Sequence, residues 1–203
     1  MLELDKFNPA LKVFKNIEKN YKADAKSVPE IYWINVLYCI ATCEEFLNNY
    51  PVALRYYKQL FKSYEKFYQQ APLNESYLYR SMGRCYRELK NYDMAYEYFQ
   101  LGMNCAPNEY SKAMIFGALG MTYQKQKKFS KAIKCYDKSL ELFFRNKAAF
   151  AKYIAQISLA KAKVLIIIGQ KDEAITCLKN ALNVHCSGMS VKKINKLILK
   201  IKN

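Results

Sequence analysis

The sequence predicts an all-α fold of about four stacked helix pairs, with one helix leading and one closing. Three observations carry this reading. The stretch from Ser76 to Pro107, SYLYRSMGRCYRELKNYDMAYEYFQLGMNCAP, sets large side chains at Tyr79, Met82, Tyr86 and Phe99 and small ones at Gly83, Ala95 and Gly102. The Gly83/Ala95 spacing returns at Ala41/Ala53, Gly120/Ala132 and Ala162/Ala174. Strand signals are weak. The one β-branched run, Val164-Leu165-Ile166-Ile167-Ile168, lies inside a small-residue helical pattern and stops at Gly169, so it reads as buried helix.

A helix pair of this kind has one apolar face, which it buries by stacking on copies of itself. A Gly or Ala at the crossing lets two helix axes approach, and a nearby aromatic fills the space beside it. In the Gly120 copy the large positions are Phe116, Leu119, Tyr123, Phe129 and Tyr136. The crossing residues fall at 41, 83, 120 and 162, so the spacings are 42, 37 and 42. Two of these exceed a period of about 34 by roughly two helical turns and predict longer second helices, such as Val52 to Gln70.

The elements follow in order. One helix has room before Ile31, and repeats lie near 34–70, 76–107, 113–145 and 155–187. Asn8-Pro9, Ser27-Val28-Pro29-Glu30, Tyr50-Pro51, Pro72-Leu73-Asn74 and Pro107-Asn108 read as helix starts, with Ser27 and Glu30 as a capping box. The closing helix, 190–202, sets Val191, Ile194, Leu197, Ile198 and Ile201 on one face. Lys192, Lys193, Lys196, Lys200 and Lys202 line the rest, a basic surface. Such a helix caps the last repeat's apolar face; the same pattern suits an anionic membrane surface or a partner's groove.

With 203 residues, 52% hydrophobic content, six Gly, five Pro and no low-complexity tract, the chain reads as a single folded domain. The start, MLELDKF, lacks a secretory pattern, and no apolar run reaches the length of a membrane span. The seven cysteines, Cys39, Cys43, Cys85, Cys105, Cys135, Cys177 and Cys186, are odd in number and sit mostly in helical, half-buried positions. They read as reduced thiols of an intracellular, cytoplasmic protein.

Catalytic constellations are not legible. There is no Gly-rich nucleotide loop, and the single histidine, His185, leaves no His relay or His-rich metal site. Cys39 and Cys43 share a helix face, yet no CxxC or nearby His completes a metal set. His185 beside Cys186 reads as a favourable histidine at a helix C-terminus. Glu44 and Glu45 are adjacent and face different directions. The expectation is a non-enzyme without metal or cofactor.

Charge is the second clue. The net charge is +16, and Met121 to Asn203 carries 18 Lys/Arg against 4 Asp/Glu. Such asymmetry points to an acidic protein segment, nucleic acid or an anionic membrane.

The Gly83 and Gly120 copies resemble the tetratricopeptide repeat, whose signature runs W-x2-L-G-x2-Y, then A-x3-F, then P. The resemblance spans roughly Ile34 to Ser187, and Lys161 stands where the family has Leu. It implies a right-handed α-α superhelix, a solenoid of helix pairs that serves as a protein- or peptide-binding scaffold. It also implies that the first helix of each pair lines a concave groove. The groove positions are then Asn35 and Tyr38, then Tyr77, Arg80, Arg84 and Arg87, then Met114, Gly117, Met121 and Gln124. Some members grip a C-terminal carboxylate with a Lys, Arg and Asn clamp, which this chain reproduces only in part. Arg80, Arg84 and Arg87 are spaced i, i+4, i+7 and share a face, and bidentate guanidinium geometry suits a carboxylate. The resemblance therefore implies a partner of acidic character. Three alternatives stay open: nucleic-acid binding through the basic half, a peptide-sensing regulator domain, and a subunit of a larger assembly. A two-residue code repeated per unit, as helical-repeat RNA readers use, is missing.

Overall fold

The computed structural model describes residues 4–23, 30–67, 75–184 and 188–202. Ten α-helices follow in chain order among these residues: α1 (Leu4–Ala23), α2 (Glu30–Phe46), α3 (Tyr50–Phe67), α4 (Glu75–Glu88), α5 (Tyr92–Asn104), α6 (Glu109–Lys125), α7 (Phe129–Phe144), α8 (Lys147–Ile167), α9 (Lys171–Leu182) and α10 (Gly188–Lys202). Among the described residues there is no strand. The fold is the expected all-α arrangement: a leading helix, four pairs and a closing helix. None of these helices is long and apolar enough to cross a membrane.

The chain forms two compact units, Met1–Gly102 and Met103–Asn203. In the first, α1 packs on α2, α2 on α3 and α3 on α4. Its core holds Trp33, Ile34, Leu37, Tyr57, Leu60 and Met82. Stacked rings tie α1 down: Tyr21 on Trp33 and Phe7 on Phe46, each with centroids 4.4 Å apart. In the second unit α6 packs on α7, α7 on α8 and α8 on α9, with α10 against α8 and α9. Ile194 and Ile201 are buried under α10, and its lysines are exposed.

The crossing residues explain the stacking. Ala41, Ala53, Ala95, Ala132, Ala162 and Ala174 are fully buried, and Gly83 and Gly120 are buried with them. A Cβ on Gly83 would meet the Phe99 ring at 2.7 Å; on Gly120 it would meet Tyr136 at 2.5 Å. Each glycine thus gives its missing side chain's space to an aromatic of the partner helix.

The turns inside the pairs share one geometry that the sequence reading did not identify. Asn48, Lys90, Lys127 and Gly169 have φ of 64°, 62°, 58° and 84°. Each lies seven residues after its crossing residue. At every one, two backbone bonds close the first helix: Asn49 N–H donates to Glu44 and Asn48 N–H to Glu45, at 2.8 and 3.0 Å. Asn91 and Lys90, Lys128 and Lys127, and Gln170 and Gly169 repeat the pattern. These are left-handed helix caps that satisfy otherwise orphaned carbonyls.

Two boundaries differ from the sequence reading. Pro9 lies inside α1, not at its start. α8 begins at Lys147 rather than near 155, because the Asn146 side chain accepts from Ala149 N–H at 3.4 Å and caps it early. A kink at Phe150 (φ −113°, ψ 15°) lets that ring stack on Tyr110 at 5.2 Å. Pro51 and the Asn108 cap sit at helix starts as expected. The Ser27 capping-box residue, Pro72-Leu73-Asn74 and the His185–Cys186 pair lie outside the described residues.

Candidate functional site

In the first unit, the implied groove positions fall on α2 and α4. Tyr38 and Tyr77 face each other with ring centroids 5.8 Å apart, and the Arg80 guanidinium lies over Tyr77 at 4.6 Å. Burial, then the bond to Tyr77, pushes the Tyr38 hydroxyl far above its ordinary value, so it stays protonated. Arg84 reaches Glu45 at 2.9 Å through Nη2, with 29% of its side chain exposed. Arg87 is buried and pairs with Glu88 at 2.9 Å; its Nη1 has no hydrogen-bond partner among the described residues. Asn35 is exposed on α2. The three arginines are therefore held by a ring and two carboxylates, and Arg84 is the one with an open side.

A buried polar network runs beneath them. Tyr57 OH donates to Glu45 at 2.8 Å, and Asn49 Nδ2 to Glu44 at 2.9 Å. Lys15 lies 3.5 Å from Glu44 and donates to Tyr56 OH at 2.7 Å; Tyr56 OH donates to Glu18. Glu44 and Glu45 thus turn toward different partners, as their adjacency on a helix requires. Their neutral or basic neighbours make this network structural: each buried charge has a bond that offsets its desolvation.

In the second unit, Met114 and Met121 are half-buried and pack against the core. Gln124 accepts from Tyr136 OH at 2.6 Å. Gly117 is a contact point: a Cβ there would meet Ile157 Cδ1 at 2.7 Å, so it lets α6 and α8 approach. Lys192, Lys193, Lys196 and Lys200 are all exposed on α10. From Lys125 to Lys202, every Lys and Arg except Lys161 is exposed.

Lys161 is the exception. Its ammonium lies 2.8 Å from Asp137 of α7 and 3.2 Å from Glu173 of α9. Burial alone would lower its pKa, but the hydrogen bond and charge of Asp137, with Glu173, raise it above the ordinary 10.5. Beside it is a pocket of about 250 Å³ between α7, α8 and α9. Burial pushes the Cys177 thiol in that pocket up, as it does Cys85 and Cys135, so these are poor nucleophiles at neutral pH.

The sequence model of the tetratricopeptide repeat family matches residues 74–143, the stretch that holds both glycine crossings. Residues 74–143 thus match tetratricopeptide repeats. Among solved structures, a thermophilic tetratricopeptide repeat protein of Thermus thermophilus is similar at a TM-score of 0.67 and 19% identity, over 98% of this chain and 91% of that one. BtubC of P. vanneervenii is similar at 0.61 and 17%, over 90% and 72%. At these identities the likeness shows the fold. No curated protein matches the chain. The sequence reading found the small-residue crossings. It missed the left-handed turn and the Lys161 pocket, although Lys161 at a Leu position was the signal for the latter.

Proposed function

We propose that this chain is a non-enzymatic scaffold that binds a peptide or protein segment of acidic character along the first helices of its repeats. The observation that carries the reading is Arg84, a cation fixed by Glu45 at 2.9 Å yet still 29% exposed. A side chain already held in place loses little entropy when a carboxylate joins it, and guanidinium has further donors to give. Tyr38, Tyr77 and Arg80 form a fixed aromatic and cationic surface on the same two helices, α2 and α4. Long-range steering by the +16 net charge favours the same class of partner. The free thiols of Cys39, Cys43, Cys85, Cys135 and Cys177 suit work in a reducing compartment.

The test is fluorescence anisotropy with glutamate-rich peptides. Arg84→Glu is a poor probe, since it sets a carboxylate beside the buried Glu45. The double variant Arg84→Gln/Glu45→Gln removes the pair together and keeps the site neutral. It should melt near wild type and bind at least about tenfold more weakly, or about 1.4 kcal/mol. Equal affinity would remove α4 from the site.

A second reading is favoured by the exposed lysines of the second unit: nucleic-acid binding. It predicts affinity falling steeply and log-linearly with salt, and complexes that nuclease removes.

A further inference from the structure

The fourth helix pair departs from the others at two neighbouring positions. Four residues before the first three crossing residues stand large side chains: Leu37, Tyr79 and Phe116. The fourth pair has Ser158 there, and Lys161 in place of the apolar residue just before the crossing. Tyr79 shows what such a side chain does in the first unit. Its ring lies 5.4 Å from Phe61 of α3 and 6.2 Å from Tyr98 of α5, wedged between two consecutive second helices. The equivalent place in the second unit is the gap between α7 and α9 over α8, and a serine is too short to fill it. The pocket of about 250 Å³ opens at that place, walled by Leu140 and Phe144 of α7 and Cys177 of α9, with Ser158 and Lys161 from α8.

We infer that this pocket receives an aromatic side chain with a polar handle, a tyrosine or tryptophan, from a partner protein, seated where the repeat omits its own. Leu140, Phe144 and Cys177 give the otherwise polar pocket an apolar wall, and the volume suits one ring system. Ser158 is fully buried and its hydroxyl has no hydrogen-bond partner among the described residues, a deficit that a phenol O–H or indole N–H removes. The Lys161 ammonium, fixed by Asp137 and Glu173, presents positive charge to a ring face. The same three charges select against other guests. Lys161 in the wall opposes a cation, and the half-exposed Asp137 and Glu173 oppose a carboxylate or phosphate. A second hollow of about 350 Å³ shares Phe144 and Asn180 with this pocket and is flanked by Lys147 and Asn183, room for the main chain that carries the ring. This site lies on α7, α8 and α9 and stands independently of the α4 arginines.

The test uses the full chain and two probes, N-acetyltyrosinamide and N-acetyltryptophanamide, with N-acetylalaninamide as control, followed by amide chemical shifts. The expected result is saturable shifts at Ser158, Lys161 and Cys177 with both aromatic probes and not with the control. Ser158→Phe supplies the missing ring, so it should melt at or above wild type and lose those shifts. If that variant fails to fold, Ser158→Leu, the size present at Leu37, takes its place. N-acetylphenylalaninamide should bind several-fold more weakly than the tyrosine probe to wild type and equally to Ser158→Ala. No saturable shift up to about 10 mM, or shifts that persist in a folded, filled variant, would overturn the assignment.

Discussion

At the residue scale, the repeat is specified by a few positions where geometry leaves no alternative. Gly83 and Gly120 have no space for a Cβ, since Phe99 and Tyr136 occupy it. Gly83→Leu or Gly120→Leu overpacks a crossing and should cost about 1–3 kcal/mol, read from denaturant melts. The turn residues make the opposite case. Gly169 has open space around it but φ of 84°, so Gly169→Ala should cost about 1 kcal/mol through the backbone alone. Lys90 and Lys127 hold the same left-handed conformation with a side chain, and Lys90→Gly or Lys127→Gly should gain a few tenths to about 1 kcal/mol. Melts that rank Gly169→Ala as neutral would break the equivalence of the four turns. The crossings were legible in the sequence because small residues recur at a fixed offset. The turns were not, because Asn, Lys, Lys and Gly share no chemistry, only a dihedral angle.

At the element scale, α1 and the α7–α8–α9 trio depend on charge in opposite directions of pH. Burial alone would raise the Glu18 carboxyl, but hydrogen bonds from Lys22 and Tyr56 outweigh it and hold it below the ordinary 4.5. A depressed acid stabilises the fold above its unfolded value and loses that contribution as pH falls through the folded one. Amide exchange in α1 should therefore accelerate more than in α4 below about pH 4.5. Lys161 has its folded value raised above 10.5, so its contribution is complete below that pH and fades as pH rises through the folded value. Loss of protection in α8 and α9 in strong alkali, absent in Lys161→Met, would show it. Equal pH profiles for α1 and α4 would contradict the Glu18 network. The polar networks were not legible because their members, such as Lys15, Tyr56 and Glu18, come together only after α1 and α3 are placed. The closing helix was legible: Ile194 and Ile201 are buried and the lysines exposed, as the apolar spacing requires.

At the scale of the whole molecule, the sequence carried the fold class and much less of the site. Periodicity is a property of every copy, so four weak copies reinforce one another. A binding surface is written once, and its residues serve packing as well. Arg80 stacks on Tyr77, and Gly117 makes room for Ile157, before either could meet a ligand. The clearest departure from periodicity, Ser158 and Lys161, opens the pocket in the second unit. The buried thiols also separate by scale. Burial raises Cys85 and Cys177, so an alkylating reagent at neutral pH should modify them far more slowly than after unfolding. Equal rates in the folded and unfolded chain would contradict that.

We propose a scaffold whose arginine-bearing first helices hold an acidic protein segment. The most direct measurement is purification of the tagged chain from native lysate with and without nuclease, alongside Arg84→Gln/Glu45→Gln. A defined protein with an acidic segment, retained through nuclease and moderate salt and lost from the double variant, is the predicted result. Nucleic acid that disappears on nuclease treatment, with no protein left behind, would overturn the scaffold role.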